Sequence, residues 1–352
     1  MSFFSLFAGF MLILFVSCAD DDSASSSSPA AESSSRTIVA FYSPNGIGDL
    51  SYGDAISLAL HKIALAHDFN LIENCPENWE YADIYADINF TTIPAEKRLY
   101  IFCDTGYRSI LEKYRAQIET NGKDVLMFDS RNVNLGQNIH TVCLSIYGIA
   151  YEAGVLAREL VDGNDMIDII IGDGKNSLLK DATIAFMEGL GERNGRTEIL
   201  TLNELSEMSE TDGYNMSSVL YWNYTTQITE KRKNGTGVPS LILPLCGGSI
   251  HGIFRWNRDY GDESSYTIGM DTDMSAYTKR VPYSLVKNFT PAFELCLGQW
   301  IKGELPQHQT LGLKDGFTEL VLSPAFKDRL EEKLSEIHHE AIEKEENYEA
   351  DK

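Results

Sequence analysis

The sequence predicts an α/β fold made of two successive parallel-sheet units. Three observations predict it. Short, near-continuous apolar runs alternate with stretches that carry apolar residues at helical spacing. The β-branched run from Ile167 to Ile171 suits a strand covered on both faces, as in a parallel sheet. A chain of 352 residues is longer than one compact core accommodates and suits two lobes of ordinary domain size.

The elements follow in order. Thr37 to Tyr42 (TIVAFY) reads as a short apolar strand, and Tyr52 to Ala66 repeats Ile56, Leu60 and Ile63 at helical spacing. Leu99 to Cys103 and Val125 to Phe128 are further buried strands, and Ile139 to Ser145 follows them. Tyr147 to Leu160 is helical, with Ala153, Leu156 and Leu160 on one stripe. After the 167–171 strand comes a helix from Leu178 to Leu190, then strands at Leu241 to Leu245 and Tyr266 to Met270. Phe289, Phe293, Leu297 and Ile301 mark an i, i+4 stripe on a helix over 288–303. The alternation implies right-handed crossovers. It places a first lobe at 37–145 plus 283–324, a second at 146–282, and a charged helix with a frayed end at 325–352.

The first 17 residues read as a targeting signal. Phe3 to Val16 is almost wholly apolar but short for a membrane span, and it ends at Phe15-Val16-Ser17-Cys18. A small residue before a cysteine at the end of such a run resembles a lipobox, which implies cleavage before Cys18 and a lipid on Cys18. An ordinary secretory signal cut nearby is the other reading. Residues 18–36 are rich in Ser and Asp and poor in apolar side chains, so they cannot offset their ordering entropy and read as a flexible tether. The acidic run after Cys18 resembles the surface-export signal of Bacteroidota lipoproteins.

Composition narrows the function. The formal net charge is -23, and such a field repels phosphate backbones, so nucleic acid is not an expected partner. Beyond Cys18 the cysteines are Cys75, Cys103, Cys143, Cys246 and Cys296, an odd number with no C-x-x-C spacing. Cys103, Cys143 and Cys246 lie in apolar runs and read as small buried hydrophobes, and the five show neither metal site nor disulfide framework. No cofactor motif is present: Gly46-Ile47-Gly48 lacks the third glycine of a dinucleotide fingerprint, because Ser51 fills its place. The Ser residues lack a G-x-S-x-G context.

The segment Gly46-Ile47-Gly48-Asp49-Leu50-Ser51-Tyr52 sits between the first strand and the first helix, where open α/β sheets bind ligands. Asp49 and Ser51 are also good helix N-cap residues, so a capped loop is the alternative reading. GIGDLSYGDA resembles the G-D-x-S-F-N signature of the basic membrane protein family, the purine nucleoside receptors of bacterial ABC transporters. Further segments agree in order: AYEAGVLARELV at 150–161, CGGSIHGIF at 246–254, YTIGMDTDM at 266–274, SLVKN at 284–288 and LGLKDGF at 311–317.

The resemblance implies the type I periplasmic binding protein fold, two Rossmann-like lobes with parallel sheets joined by a three-crossing hinge. It implies a lipid-anchored, non-enzymatic receptor that captures a nucleoside-like ligand between the lobes and delivers it to an ABC permease. Residue by residue, it implies that Asp49 accepts hydrogen bonds from polar ligand atoms and that Tyr52 stacks on a base. It implies that the Gly248 backbone approaches the ribose, that Asp271 takes two ribose hydroxyls, and that Lys287 reaches the same ribose. Asp104 fits two readings, a reader of a base amino or imino group and a cap of the next helix. Trp222 is the choice among Tyr214, Tyr221, Trp222 and Tyr224 for a second-lobe aromatic. The family's Asn after the ring position is Gly53 here, and its Gln after G-V-D-x-D is Met274. These departures bear on the base more than on the ribose. A sugar or other small polar ligand is the alternative, and a nucleoside hydrolase is the enzymatic rival. Against that rival, no D-x-D-x-x-x-D run for Ca²⁺ appears.

Overall fold

Alternate residues of the first strand, β1 (Thr37–Phe41), enter two different cores. Ile38 and Ala40 pack with Ile56, Leu60 and Phe293, whereas Val39 and Phe41 pack with Ala82, Phe90 and Leu111. A strand's side chains alternate between faces, so a strand apolar throughout must be covered on both. The computed structural model describes residues 36–352 except 45, 132, 203–213, 215–217, 219, 223, 224, 227–237 and 261–264, and only the backbone of 193–195. The signal segment, Cys18 and the tether up to residue 35 lie outside the described residues, as does Tyr224.

The first sheet has six parallel strands. β1 pairs with β2 (Asn70–Asn74) and β3 (Arg98–Phe102); β4 (Asp124–Phe128), β5 (Ile139–Leu144) and β12 (His308–Leu311) follow, in the order β12-β5-β4-β3-β1-β2. Helices α1 (Tyr52–His67) and α7 (Phe289–Lys302) supply one covering core. Helices α2 (Trp79–Asp87) and α3 (Arg108–Thr120) supply the other.

The second sheet has four parallel strands, β7 (Thr197–Thr201), β6 (Ile167–Ile171), β8 (Leu241–Leu245) and β9 (Tyr266–Thr267), in the order β7-β6-β8-β9. Its core includes α4 (Tyr147–Leu160), α5 (Ser177–Leu190) and α6 (Ile250–Tyr260). One short step beyond β9 the chain enters a small sheet, β10-β11-β13. In it β11 (Tyr283–Lys287) runs parallel to β10 (Gly269–Asp271) and antiparallel to β13 (Thr318–Leu322).

The chain crosses between the two bodies three times: from β5 to α4, from β11 to α7, and from β12 to β13. Residues 283–324 divide between the bodies. Phe289, Phe293 and Leu311 pack in a first-sheet core, but Tyr283, Leu285 and Leu320 pack in the second. The cause is the small sheet, whose strands lie against α4: the Tyr283 hydroxyl donates to the Ala153 carbonyl at 2.8 Å.

The C-terminal helix α8 (Lys327–Ala350) packs on α4 through Leu330, Ile337 and Ala341. Its end is not frayed, contrary to the expectation from charge. Tyr348 stacks on Tyr147 at 4.0 Å, and Glu349 pairs with Arg131. The apolar stripe holds the helix body, and specific side chains hold its last turn. No described helix is long and apolar enough to cross a membrane.

Candidate ligand-binding site

In each large sheet, one pair of neighbouring strands sends its loops to opposite sides. In the first sheet this switch lies between β1 and β3; in the second it lies between β6 and β8. Such points form crevices at the carboxyl ends of the strands. Here both crevices open on one cavity of about 520 Å³. Ser43, Asp49, Tyr52 and Asp104 line it from the first body, and Asp173, Asn176, Tyr214 and Gly247 from the second. Asp271 and Lys287, at the ends of β10 and β11, line it as well.

A buried ion cluster occupies these last strand ends. The Lys287 ammonium donates to Asp129 Oδ2 at 2.5 Å and lies 3.7 Å from Asp271 Oδ1. Lys287 and Asp129 are each 6% exposed and Asp271 is 3% exposed, so these charges have left bulk water. Burial opposes the charge on Lys287, but Asp129 and then Asp271 outweigh it and raise its pKa, which keeps the ammonium protonated. Burial pushes the Asp271 carboxyl up to about 6; Lys287 pulls it down, while Asp129 and Asp49 push it up again. The Ser51 hydroxyl donates to Asp271 Oδ2 at 3.2 Å. Asp271 and Asp129 both adopt positive φ, 66° and 54°, a region that few side-chain-bearing residues occupy. Such strain is characteristic of binding sites, where surrounding contacts hold it in place.

Asp49 is engaged by its own helix. Its carboxylate accepts from the amides of Ser51 and Gly53 at 2.9 Å and of Asp54 at 3.2 Å. These are donors that the first turn of α1 leaves unpaired. Ser51 occupies the N-cap position, but its hydroxyl turns to Asp271 instead of capping. The Tyr52 ring meets Phe289 edge-on at 5.5 Å, and Lys287 Nζ lies 5.1 Å from its centroid.

Asp104 Oδ1 accepts from the Gly106 amide at 2.6 Å, and the residue caps the short turn Thr105–Tyr107. Burial raises its carboxyl to about 6, and Asp173 across the cavity adds to the rise. Trp79 lines the same wall, edge-on to Tyr107 at 5.1 Å, and its buried Nε1 has no hydrogen-bond partner among the described residues.

Three expected residues stand outside the cavity wall, the first being Ser51, which is buried with its hydroxyl on Asp271. Gly248 lies against Asp49 and does not line the cavity: a Cβ there would fall 2.8 Å from the Asp49 carbonyl oxygen, so a bare backbone permits the two bodies to meet. Trp222 is 64% exposed, edge-on to Tyr221 at 5.5 Å, and absent from the cavity wall. Leu220 and Tyr221 take the buried positions beside it and leave it facing solvent. Among the described residues, the aromatic lining the second wall is Tyr214, whose hydroxyl accepts from Asn176 Nδ2 at 3.1 Å.

The departures acquire physical reasons. A Cβ at Gly53 would lie 1.8 Å from the Gly46 carbonyl oxygen, so this loop leaves no room for a side chain there. Met274 is fully buried in the second core, and its amide donates to Ser284 Oγ at 3.0 Å.

Sequence reasoning missed Asp129, Asp173, Trp79 and Arg131, all of which line the cavity. A signal existed for the first two. Asp129 directly follows the apolar run of β4, and Asp173 follows β6 after one glycine. Asp104 and Asp271 hold equivalent places at the ends of β3 and β10. A carboxylate just beyond a buried strand is a candidate cleft residue by position alone. Among the described residues no group of three or more His, Cys, Asp or Glu side chains could hold a metal ion.

Two parallel sheets, three crossings and an interlobe cavity define the class: this is a type I periplasmic binding protein fold. Solved structures share it. A solute-binding protein of an ABC transporter system from Aeropyrum pernix K1 superposes with a TM-score of 0.67 at 14% identity, over 89% of this chain and 86% of that one. A periplasmic solute-binding protein from Actinobacillus succinogenes 130z, with bound D-allose, gives 0.62 at 12% identity over 84% and 99%. A transcriptional activator of the comK gene from Bacillus halodurans gives 0.64 at 12% identity over 86% and 96%. The likeness thus establishes fold and leaves function to the site. Residues 233–352 match the model of the Bmp family, described as ABC transporter substrate-binding protein PnrA-like, the family that the sequence motifs resemble. No curated protein matches the chain.

Proposed function

We propose that this chain is the lipid-anchored substrate-binding protein of an ABC transporter, and that it captures a nucleoside-like ligand between its lobes without acting on it chemically. The observation that carries this reading is the Lys287–Asp271 pair on the cavity surface. A vicinal diol is both donor and acceptor at each oxygen, so it needs acceptors and donors side by side. Asp271 accepts, Lys287 donates, and Asp129 holds the ammonium in place. Tyr52 beside them, with Trp79 and Tyr214 also in the wall, offers aromatic surface for a flat base. Three crossings between rigid bodies leave hinges for closure on the ligand. Gly248 against Asp49, and Ser51 against Asp271, are contacts that closure makes.

The apolar leader ending at Cys18 supports an anchor outside the cytoplasm, from which the receptor delivers its ligand to a permease. A sugar is the second reading, because a diol-reading pair serves a pyranose equally well. The solute-binding protein from Actinobacillus succinogenes holds D-allose, and one from Clostridium phytofermentans holds β-D-glucose. Native mass spectrometry of freshly purified protein, followed by calorimetry with nucleosides, free bases and hexoses, separates the readings. A copurified or titrated riboside supports the first; saturable binding of hexoses alone sinks it. Partition of Cys18→Ala into the soluble fraction tests the anchor.

A further inference from the structure

Most charges lining the cavity are compensated in place. Lys287 lies between Asp129 and Asp271. Arg131 is held by both carboxylate oxygens of Glu349, with Asp181 2.9 Å from its Nε. Asp49 accepts from three backbone amides of its own helix turn. Asp104 differs. It accepts from the Gly106 amide and the Ser43 hydroxyl, and it has no cationic partner among the described residues. A carboxylate offers about four acceptor sites, so about two remain on the cavity that Asp104 lines. Asp173 approaches from the other body with the same sign of charge. Arg108 and Lys175 also line the cavity, but between these two carboxylates an anionic ligand group is repelled and one rich in N–H donors is drawn in.

Flat surface surrounds this carboxylate. The Trp79 ring packs against Gly106, where a Cβ would fall 2.4 Å from the indole, and Tyr214 faces from the second body. Tyr52 lies within electrostatic reach of both Asp104 and Asp271. A ligand with its sugar at Asp271 and its ring along Tyr52 would present the ring's edge to Asp104.

We propose that Asp104 is the specificity-determining residue of this cavity, and that it selects an aromatic ring with two adjacent N–H donors, as on the N1–H and N2–H₂ edge of guanine. The proposal rests on the nucleoside reading for its sugar half only. Two parallel N–H groups on one carboxylate make a bidentate, charge-assisted pair. Hypoxanthine offers one N–H at that edge. Adenine offers an acceptor there, and two facing lone-pair groups leave a buried acceptor unsatisfied. The order of affinity is guanosine, then inosine, then adenosine.

The test is calorimetric titration of guanosine, inosine, adenosine and benzamidine at pH 8 into the wild type, Asp104→Asn and Asp104→Ser. Asn and Ser both retain the capping function, so the turn at Thr105–Tyr107 is expected to persist. Benzamidine carries two parallel N–H donors on an aromatic ring and no ribose. Asp104→Asn lowers guanosine and benzamidine affinity by about 10- to 100-fold, the factor of one or two charge-assisted hydrogen bonds, and changes adenosine by less than about threefold. Equal binding of guanosine and adenosine by the wild type overturns the proposal, as does a variant that binds guanosine and benzamidine unchanged. If no nucleoside binds but benzamidine does, and Asp104→Asn abolishes it, the nucleoside reading falls and Asp104 keeps its role. If neither binds, both fall. Asp104→Ser repeats every arm should the Asn variant fail to fold.

Discussion

Arg131 and Glu349 are 218 positions apart in the chain and meet as a two-pronged pair, with Nη2 donating to Oε1 at 2.5 Å and Nη1 donating to Oε2. Glu349 also accepts from Ser145 Oγ at 2.6 Å, and Ser145 lies on the crossing from β5 to α4. Asp181 of α5 stands 2.9 Å from Arg131 Nε and accepts from the Tyr348 hydroxyl at 2.5 Å. The last turn of α8 therefore ties the loop after β4 to the second body and rests on the hinge. Burial raises the Glu349 carboxyl, but Arg131 and Ser145 prevail and hold it below the usual range.

Glu349→Gln removes one partner of this buried pair. Loss of a partner from a fully buried ion pair costs about 3–5 kcal/mol, and Asp181 remains to share the Arg131 charge, so about 1–3 kcal/mol is expected. Urea denaturation reads the loss as a lower midpoint. Hydrogen exchange over 345–349 should accelerate in the variant. An unchanged midpoint would mean that the apolar stripe alone holds the helix.

Acid should stabilise the ligand-free protein. Burial raises Asp104 and Asp271 to about 6 and Glu152 to about 7. Each folded pKa lies above its unfolded value near 4, so the folded state binds more protons through this window. The stability these groups give is present in full below about pH 4 and is lost as pH rises through 6 to 7. Glu349, held low, acts oppositely, losing its contribution only as pH falls through the acid range. Thermal melts should give a higher Tm at pH 5.5 than at pH 8, by about 2–4 °C per kcal/mol. Asp271→Asn should flatten the slope; an equally steep slope in that variant would assign the effect elsewhere.

The sequence made the interiors of the two large sheets visible and left their edges dark. β1, β3, β4, β6 and β8 are apolar almost throughout, because neighbours cover both faces. β2 (NLIEN), β7 (TEILT) and β12 (HQTL) are outermost strands with several exposed residues, so no apolar run announces them. The site divides similarly. Asp271 and Lys287, which the motifs single out, line the cavity. Asp129 sits at a positive φ reached only after β4, and its partner is 158 positions away, a contact that no local pattern encodes. Trp222 and Tyr214 look alike in sequence, yet Trp222 is exposed beside the buried Leu220 and Tyr221 while Tyr214 lines the cavity.

Gly53 is a steric requirement in this loop. Gly53→Asn, which restores the amide of the family pattern, places a Cβ 1.8 Å from the Gly46 carbonyl oxygen. Backbone must move, and overpacking of this kind costs about 1–3 kcal/mol. The shift also disturbs the amide that Gly53 donates to Asp49 at 2.9 Å. The variant should melt lower and bind no nucleoside more tightly. Tighter binding at unchanged Tm would show that the loop opens freely and that the lost amide alone limits affinity.

Asp271 and Tyr52 should separate sugar recognition from base recognition. Asp271→Ala removes acceptors for two hydroxyls, and charge-assisted bonds are worth about 1.5–3 kcal/mol each. It also leaves Lys287 with Asp129 alone, which holds it at 2.5 Å and preserves the ammonium. A riboside should weaken by about 10- to 100-fold and its free base by much less, since the base carries neither hydroxyl. Tyr52→Ala should weaken base and riboside alike, because it removes a ring and no acceptor. Acidification gives an independent check. The Asp271 carboxyl titrates near 6, so riboside affinity should fall from pH 8 to pH 5 while the ligand-free protein grows more stable. In Asp271→Ala that pH dependence should shrink. A riboside that binds wild type and Asp271→Ala equally, at both pH values, would move the sugar away from this carboxylate and with it the central support for the nucleoside reading.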